Sequence, residues 1–206
     1  PNHGRARGAA MTVAGALPDL AASGGHWPAG PGADGQRRVD FQPMTEGDLD
    51  AVHELEKQAY PMPWSRRHFA DSIAAGHQAV MLLGEVLAAE TPTPGLAPPR
   101  VLLGYLVAMP GYEEVHLLNI TVAPAHQPHG WGRFLLDALV LWSRGQGAQS
   151  LWLEVRQGNA PARRLYDRYG FVTAGTRKAY SPAAHGQRED AVVMCRNLLT
   201  PHGGAS

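Results

Sequence analysis

Residues 101–145 restrict the fold of this chain more than any other stretch of its sequence. Two apolar runs, Val101 to Met109 and Val115 to Val122, predict two strands joined by a turn at Pro110-Gly111. Their nearly continuous apolar character predicts burial on both faces of a sheet. A glycine-containing turn follows, and then a helix over 130–145, because apolar residues recur there at helical spacing. An apolar strand that leads through glycines into an amphipathic helix indicates an α/β domain.

The rest of the domain, which spans residues 39–198, alternates further strands and helices. Thr45, Ser65 and Asn159 are candidate N-caps, and Pro161 fits the first turn of the last helix. The other predicted strands cover 39–41, 79–83, 151–155, 171–180 and 188–198, and the other helices follow Thr45, run from Ser65 to about residue 75, and end at Gly170. This order contains no internal repeat and predicts one mixed α/β domain.

Both ends of the chain differ from the domain in composition. Residues 1–38 are dominated by Pro, Gly and Ala, and residues 199–206 are similarly poor in apolar patterning. Such segments cannot bury enough apolar surface to offset the entropy of ordering them, so we predict flexible tails. Within the domain, the prolines of 91–99 predict a loop between two strands.

Composition and charge argue against several classes of protein. The chain has 18 basic and 18 acidic side chains, a balance that disfavours broad electrostatic binding to nucleic acid. No apolar run approaches the roughly 20 residues of a membrane span, and we find no secretory signal. The single cysteine, Cys195, lies in an apolar run, so we expect it to be an inert packing residue. We therefore expect a cytoplasmic protein without a membrane partner.

The turn before the central helix has the character of an anion-binding loop. It consists of Gln127, Pro128, His129, Gly130, Trp131, Gly132 and Arg133. Free backbone N–H groups and the positive end of the helix dipole bind phosphate at such a helix N-terminus. Glycines at 130 and 132 let a ligand approach the backbone. The loop matches neither the Gly-Lys-Ser/Thr pattern of nucleotide hydrolases nor Gly-x-Gly-x-x-Gly, and a tight turn with packing glycines is the alternative.

The loop resembles the Gln/Arg-x-x-Gly-x-Gly/Ala signature of the GNAT superfamily, in which it holds the pyrophosphate of coenzyme A. Other segments resemble, within that superfamily, the ribosomal-protein-alanine N-acetyltransferases of the RimI type. These segments are Tyr60–Ser65, Leu118–Val122, Leu153–Arg156, Asn159, Leu165-Tyr166, Gly170-Phe171, Arg177–Tyr180 and Arg188–Ala191. The resemblance covers roughly residues 39–198.

This resemblance implies a fold, a co-substrate and a set of site residues. The fold is a mixed, mostly antiparallel central sheet of about seven strands with flanking helices. The implied co-substrate is acetyl-CoA, and no metal is implied. The implied acceptor is a protein N-terminus, in particular the N-terminal alanine of a small-subunit ribosomal protein. No direct contact with nucleic acid is implied. The implied cofactor contacts are Asn159, the loop residues Pro128, His129, Gly130, Trp131, Gly132 and Arg133, and the backbone amides of Ile120, Thr121 and Val122.

The resemblance also implies that Glu154 is the general base and Tyr166 the general acid. A carboxylate in an apolar strand is costly unless it is used or paired, which agrees with a role for Glu154. The alternative is a structural ion pair with Arg156 or another arginine. Arg156 itself is a poor partner because neighbours on a strand face opposite ways. Without the resemblance, Tyr166 would be interpreted as a packing residue.

Three other functions remain open at this stage. The acceptor could be a lysine side chain or a small-molecule amine, because the glycine loop fits these acceptors equally. A non-catalytic acyl-CoA-binding module is disfavoured by the presence of both Glu154 and Tyr166. A metallohydrolase is suggested only by the ten histidines, and the pair His126 and His129 lacks a His-Glu-x-x-His motif.

Pro128 departs from the usual pattern of the glycine loop because it has no N–H to donate. One hydrogen bond to phosphate is therefore lost if the family uses that amide.

Overall fold

The computed structural model describes residues 39–85, 100–182 and 188–199. The predicted tail over 1–38, the predicted loop over 91–99 and residues 200–206 lie outside the described residues. The strands are β1 (Val39–Pro43), β2 (Gln78–Glu85), β3 (Arg100–Pro110), β4 (Glu114–Val122), β5 (Ser150–Arg156), β6 (Val172–Pro182) and β7 (Arg188–Asn197). The α-helices are α1 (Leu49–Ala59), α2 (Arg66–Ala74), α3 (Trp131–Gly145) and α4 (Ala160–Arg168). Each predicted element within the described residues is present, with shifted ends.

The strands form one sheet in the order β1-β2-β3-β4-β5-β7-β6. β4 and β5 pair in parallel, and the other neighbouring strands pair antiparallel. The predicted mixed, mostly antiparallel seven-stranded sheet is therefore confirmed. Helix α3 makes the crossover between the two parallel strands, as a parallel pair requires.

Each face of the sheet is covered by helices and buries its own apolar cluster. Residues of α3 and α4 pack with Leu103, Leu151 and Met194 on one face. On the other face, the apolar side of α1 packs with Phe69 of α2 and Tyr105 of β3. This layering follows from the alternation of side chains along each strand. Among the described helices, none is long and apolar enough to cross a lipid bilayer.

Ser65 and Asn159 begin their helices as the sequence predicts, whereas the residue before α1 is Asp48 and not Thr45. Ser65 caps α2 by accepting a hydrogen bond from the backbone N–H of His68, and Asn159 accepts one from Ala162 at the start of α4. Thr45 precedes a 3₁₀ turn, Glu46–Asp48, that leads directly into α1, and its backbone N–H donates to the Asp48 carboxylate.

The burial prediction is confirmed for β3 and wrong for β4. Residues Leu103 to Ala108 are all buried, whereas burial in β4 alternates and Leu118, Asn119 and Ile120 are only half-buried. The reason lies in the pairing of β4, because its second half has a strand neighbour on one side only. The apolar composition of β4 does not indicate that its second half has only one neighbouring strand.

Gly104 in β3 permits a close approach of two strands. A Cβ built at this position would lie 2.4 Å from the carbonyl oxygen of Thr121 in β4. We predict that Gly104→Ala lowers the free energy of unfolding by about 1–3 kcal/mol, as overpacking of a core does. Urea denaturation measures the change. Gly175→Ala in β6 is the control, because a Cβ there meets no atom within 4 Å. Equal effects of the two substitutions would contradict the prediction.

Candidate active site

A gap opens in the middle of the sheet where β4 and β5 diverge. Their pairing extends from Glu114 with Ser150 to Leu117 with Leu153 and no further among the described residues. At this point β4 bulges, because Val107 of β3 pairs with Asn119 and Ala108 pairs with Leu117, which leaves Leu118 without a partner in the register. Beyond the bulge, β4 continues along β3 while β5 continues along β7. The backbone of residues 118–122 thereby presents an open edge to the gap.

The glycine loop lies at the end of this open edge. After β4, a 3₁₀ turn over Pro124–His129, which includes Pro128, leads to Gly130, whose φ of 81° is in the left-handed region. α3 begins at the next residue, and no side chain caps it. Its first backbone N–H groups therefore remain available to an anion. The side-chain amide of Gln127 ties the loop to β4 by donating to the Val122 carbonyl oxygen at 3.2 Å.

The side chains of the loop have different environments. His129 and Arg133 are exposed, and Arg133 lies 4.0 Å from Asp137 one turn along α3. The indole of Trp131 is 2% exposed and packs edge-on against Phe134, so only its backbone can contact a ligand. A Cβ at Gly132 would lie 3.2 Å from Leu165 of α4, so this glycine also permits close packing of two helices. The packing interpretation of Gly132 is therefore confirmed, and phosphate binding by the loop stays a prediction.

Glu154 lies on β5 just beyond the last pair with β4. Leu151, Leu153 and Val155 are buried in the core of one face, so Glu154 projects from the other face. Its Oε1 lies 3.1 Å from Nε of Arg177 on β6, and about a third of its side chain is exposed (33%). Arg156 instead pairs with Glu189, at 3.5 Å. Sequence spacing could not identify Arg177, because β7 lies between β5 and β6 in the sheet.

Tyr166 is buried on α4, with its ring packed against Phe171. Burial raises the pKa of its hydroxyl well above the usual range, and the electrostatic influence of Tyr60 adds to this shift. The phenol therefore carries its proton at neutral pH. Tyr60, which follows α1 directly, is thus within electrostatic reach of Tyr166. Asn159 caps α4, so one lone pair of its side-chain oxygen is engaged.

A buried polar cluster, which the sequence analysis did not predict, lies against the open half of β4. We call Glu56, Tyr60, Tyr105, Asn119 and Thr121 the Glu56 cluster. Glu56 and Thr121 are each 2% exposed, and Tyr105 is fully buried. Burial and then the proximity of Glu56 raise the pKa of Tyr105 far above its ordinary value. The available signal in the sequence was a glutamate on the apolar face of a helix.

Histidine, cysteine and carboxylate side chains do not converge into a candidate metal centre anywhere in the described residues. His129 Nδ1 lies 3.3 Å from the backbone carbonyl oxygen of His126. Cys195 is half-buried, and burial raises the pKa of its thiol. An elevated thiol pKa agrees with a packing role.

Comparison with known proteins decides the family. The model of the acetyltransferase (GNAT) family matches residues 49–171. The chain belongs to the GNAT acetyltransferase family. It is therefore an acetyl-CoA-dependent N-acetyltransferase, and the gap beside the glycine loop is the candidate site of a GNAT enzyme.

Relatives with named activities resemble most of the chain. The [ribosomal protein bS18]-alanine N-acetyltransferase of Salmonella typhimurium is 37% identical over 151 residues, which cover 73% of this chain and 92% of that protein. The enzyme of the same name from Haemophilus influenzae is 32% identical over 147 residues, which cover 71% and 90%. The crystal structure of the ribosomal-protein-S18-alanine N-acetyltransferase from Escherichia coli superposes with a TM-score of 0.65 at 29% identity, covering 82% of this chain and 99% of that one.

The buried phenol of Tyr166 predicts a loss of stability at alkaline pH. Its folded pKa is raised, so its contribution is fully present below the unfolded pKa near 10 and is lost as pH rises toward the folded value. Above pH ~10, each such tyrosine lowers the free energy of unfolding by up to about 1.4 kcal/mol per pH unit. Tyr166→Phe should reduce this slope in urea denaturation series.

The control for this series is Tyr112→Phe, because the Tyr112 side chain is 90% exposed. Its hydroxyl is in contact with solvent in the folded chain as in the unfolded one, so the slope above pH ~10 should stay at the wild-type value. An unchanged slope in Tyr166→Phe would show that the Tyr166 hydroxyl is not shielded from solvent.

Proposed function

We propose that this enzyme transfers the acetyl group of acetyl-CoA to the α-amino group of a protein N-terminus, namely the N-terminal alanine of ribosomal protein bS18. The observation that carries this proposal is the open edge of β4 with Glu154 and Tyr166 beside it, in a chain that aligns over most of its length with enzymes named for this reaction. Membership in the family leaves the acceptor open, and the alignment favours a peptide N-terminus.

The described residues fit acetyl-CoA at two places. The backbone of Ile120, Thr121 and Val122 has no strand neighbour on the side of β5, so it can pair with the amides of the pantetheine arm as an added strand would. The uncapped start of α3, with Gly130 and Gly132, can hold the pyrophosphate through backbone N–H groups. The exposed side chains of His129 and Arg133 flank the pyrophosphate position. Trp131 offers only its backbone to the pyrophosphate, and Pro128 has no N–H to offer. Asn159 lies at the start of α4 as a further cofactor contact.

Glu154 and Tyr166 supply the two proton transfers that acetyl transfer requires. The acceptor nitrogen forms a bond to the acetyl carbon, and the bond from that carbon to sulfur breaks. Glu154 accepts the proton from the amine, directly or through one water, with the oxygen that Arg177 does not engage. Tyr166 keeps its proton at neutral pH and donates it to the leaving sulfur. A backbone N–H of the open edge stabilises the charge that develops on the carbonyl oxygen.

The chemistry of amines also favours an N-terminal acceptor. An α-amino group has a pKa near 7.8, whereas that of a lysine is near 10.4. The difference of about 2.6 units makes the neutral lysine roughly 3.5 kcal/mol harder to form at pH 7. A single carboxylate that remains partly exposed is better matched to the easier deprotonation.

We predict that Glu154→Gln lowers kcat about 10²- to 10⁴-fold, the range for loss of a general base. Acetyl-CoA binding, measured by calorimetry, should be unchanged, because the amide keeps the shape of the side chain. Glu189→Gln is a matched control, since Glu189 is also paired with an arginine and is similarly exposed, at 29% against 33%. Loss of acetyl-CoA binding in Glu154→Gln would show that Glu154 is structural.

The acceptor is tested by thiol release from acetyl-CoA with two peptides. One carries the free alanine N-terminus of bS18, and the other has the same sequence with a blocked N-terminus and its internal lysines intact. We expect turnover with the free N-terminus only. Turnover with the blocked peptide would identify a lysine acetyltransferase. No turnover with either peptide, while acetyl-CoA still binds, would indicate a small-molecule amine as acceptor.

A further inference from the structure

Glu56 occupies a position that is costly for a carboxylate in three ways. It is 2% exposed, so its charge is removed from water. It lies in the last turn of α1, where the helix dipole disfavours negative charge. None of the ion pairs among the described residues includes it. The hydrogen bonds that the carboxylate accepts are what offset these costs.

These hydrogen bonds connect four separate segments. Oε1 accepts from the backbone N–H of Trp64 at 2.9 Å and from the side-chain amide of Asn119 at 3.3 Å. Oε2 accepts from the hydroxyl of Tyr105. Thr121 Oγ1 lies within 3.4 Å of an oxygen atom of each other member of the cluster, so its one proton has four close acceptors, the nearest being the Tyr105 hydroxyl at 3.0 Å. Glu56 thereby joins α1, β3 and β4 to the segment that follows α1.

That segment, Tyr60–Ser65, borders the open half of β4. Its first residue donates a hydrogen bond from the Tyr60 hydroxyl to the Ile120 carbonyl oxygen at 3.1 Å. Near its other end, the Trp64 N–H is held by Glu56. Between these anchors, Pro61, Met62 and Pro63 are exposed. The two prolines limit the backbone of the segment, and the two anchors fix it beside the gap.

We propose that Glu56 is a positioning residue that holds Tyr60–Ser65 against β4 and so shapes the acceptor side of the site. This inference rests on the proposed function for the identity of the acceptor. Glu56 contacts the open half of β4 through the side chains of Asn119 and Thr121 and not through its backbone. We therefore expect acetyl-CoA binding along that backbone and at the start of α3 to be unaffected by its loss. Loss of its acceptor atoms releases the segment and weakens peptide binding selectively.

The test compares Glu56→Gln and Glu56→Met with the wild type. The glutamine keeps the shape and loses the charge, and the methionine loses every acceptor atom. We expect KM for the bS18 peptide to rise about tenfold or more, the size of one lost hydrogen bond to a charged group, with the larger rise for methionine. KM for acetyl-CoA should not change. Glu54→Gln is the matched control on the same helix, since its carboxylate is exposed and pairs with Lys57.

A second measurement does not depend on the acceptor. Amide hydrogen exchange at Trp64 should accelerate in both variants, while exchange in the middle of α3 stays at the wild-type rate. If Glu56→Met does not fold, the measurements on Glu56→Gln alone test the inference. Unchanged exchange with an unchanged peptide KM would overturn the inference, and so would parallel losses for peptide and acetyl-CoA. If the wild type does not acetylate the peptide, the proposed function fails, and the exchange rates alone decide whether Glu56 anchors the segment.

Discussion

Pairing between the parallel strands β4 and β5 stops after Leu117 and Leu153, and the arrangement of the site depends on this divergence. The bulge at Leu118 turns β4 away, and the remaining residues of β5 follow β7 instead. A continuous sheet would satisfy the backbone of residues 118–122 with its own hydrogen bonds. The gap leaves that backbone available, and α3 begins near its end because the parallel connection must cross the sheet there. The geometry of one strand pair thus positions both the open edge and the glycine loop.

Two glutamates beside the gap occupy contrasting environments. Glu154 is partly exposed and paired with Arg177, so solvent and a cation both stabilise its charge. Glu56 is buried without a cation among the described residues and depends on hydrogen-bond donors from three segments, which are β3, β4 and Tyr60–Ser65. An exposed, singly paired carboxylate can exchange protons with a bound amine. A carboxylate enclosed by donors is held in one geometry, which suits a structural anchor. The two carboxylates therefore differ in their contact with solvent and in the partners that stabilise their charge.

Local features of the chain could be predicted, and long-range partners could not. Ser65 and Asn159 cap their helices as expected, and the glycine loop leads into α3 as expected, because these features depend on a few neighbouring residues. The burial of β4 on both faces was wrong, since burial depends on which strand lies alongside. Arg177 was not identified as the partner of Glu154, because a register between three strands brings them together. The environment of Glu56 was missed because the packing of α1 against the sheet, and not spacing along the chain, brings it to Tyr105 and Asn119.

The sequence by itself determined the order of the elements, the positions of the caps and breaks, and the motifs that resemble the GNAT family. Periodicity, proline and glycine act within one or two turns of the chain, so these properties can be deduced without knowledge of the fold. The tertiary structure alone decided where the sheet opens, which cation meets Glu154, and which donors surround Glu56. Those contacts join residues as much as 65 positions apart, as between Glu56 of α1 and Thr121 of β4. Strand register and the packing of helices on the sheet, rather than local preference, bring such residues into contact.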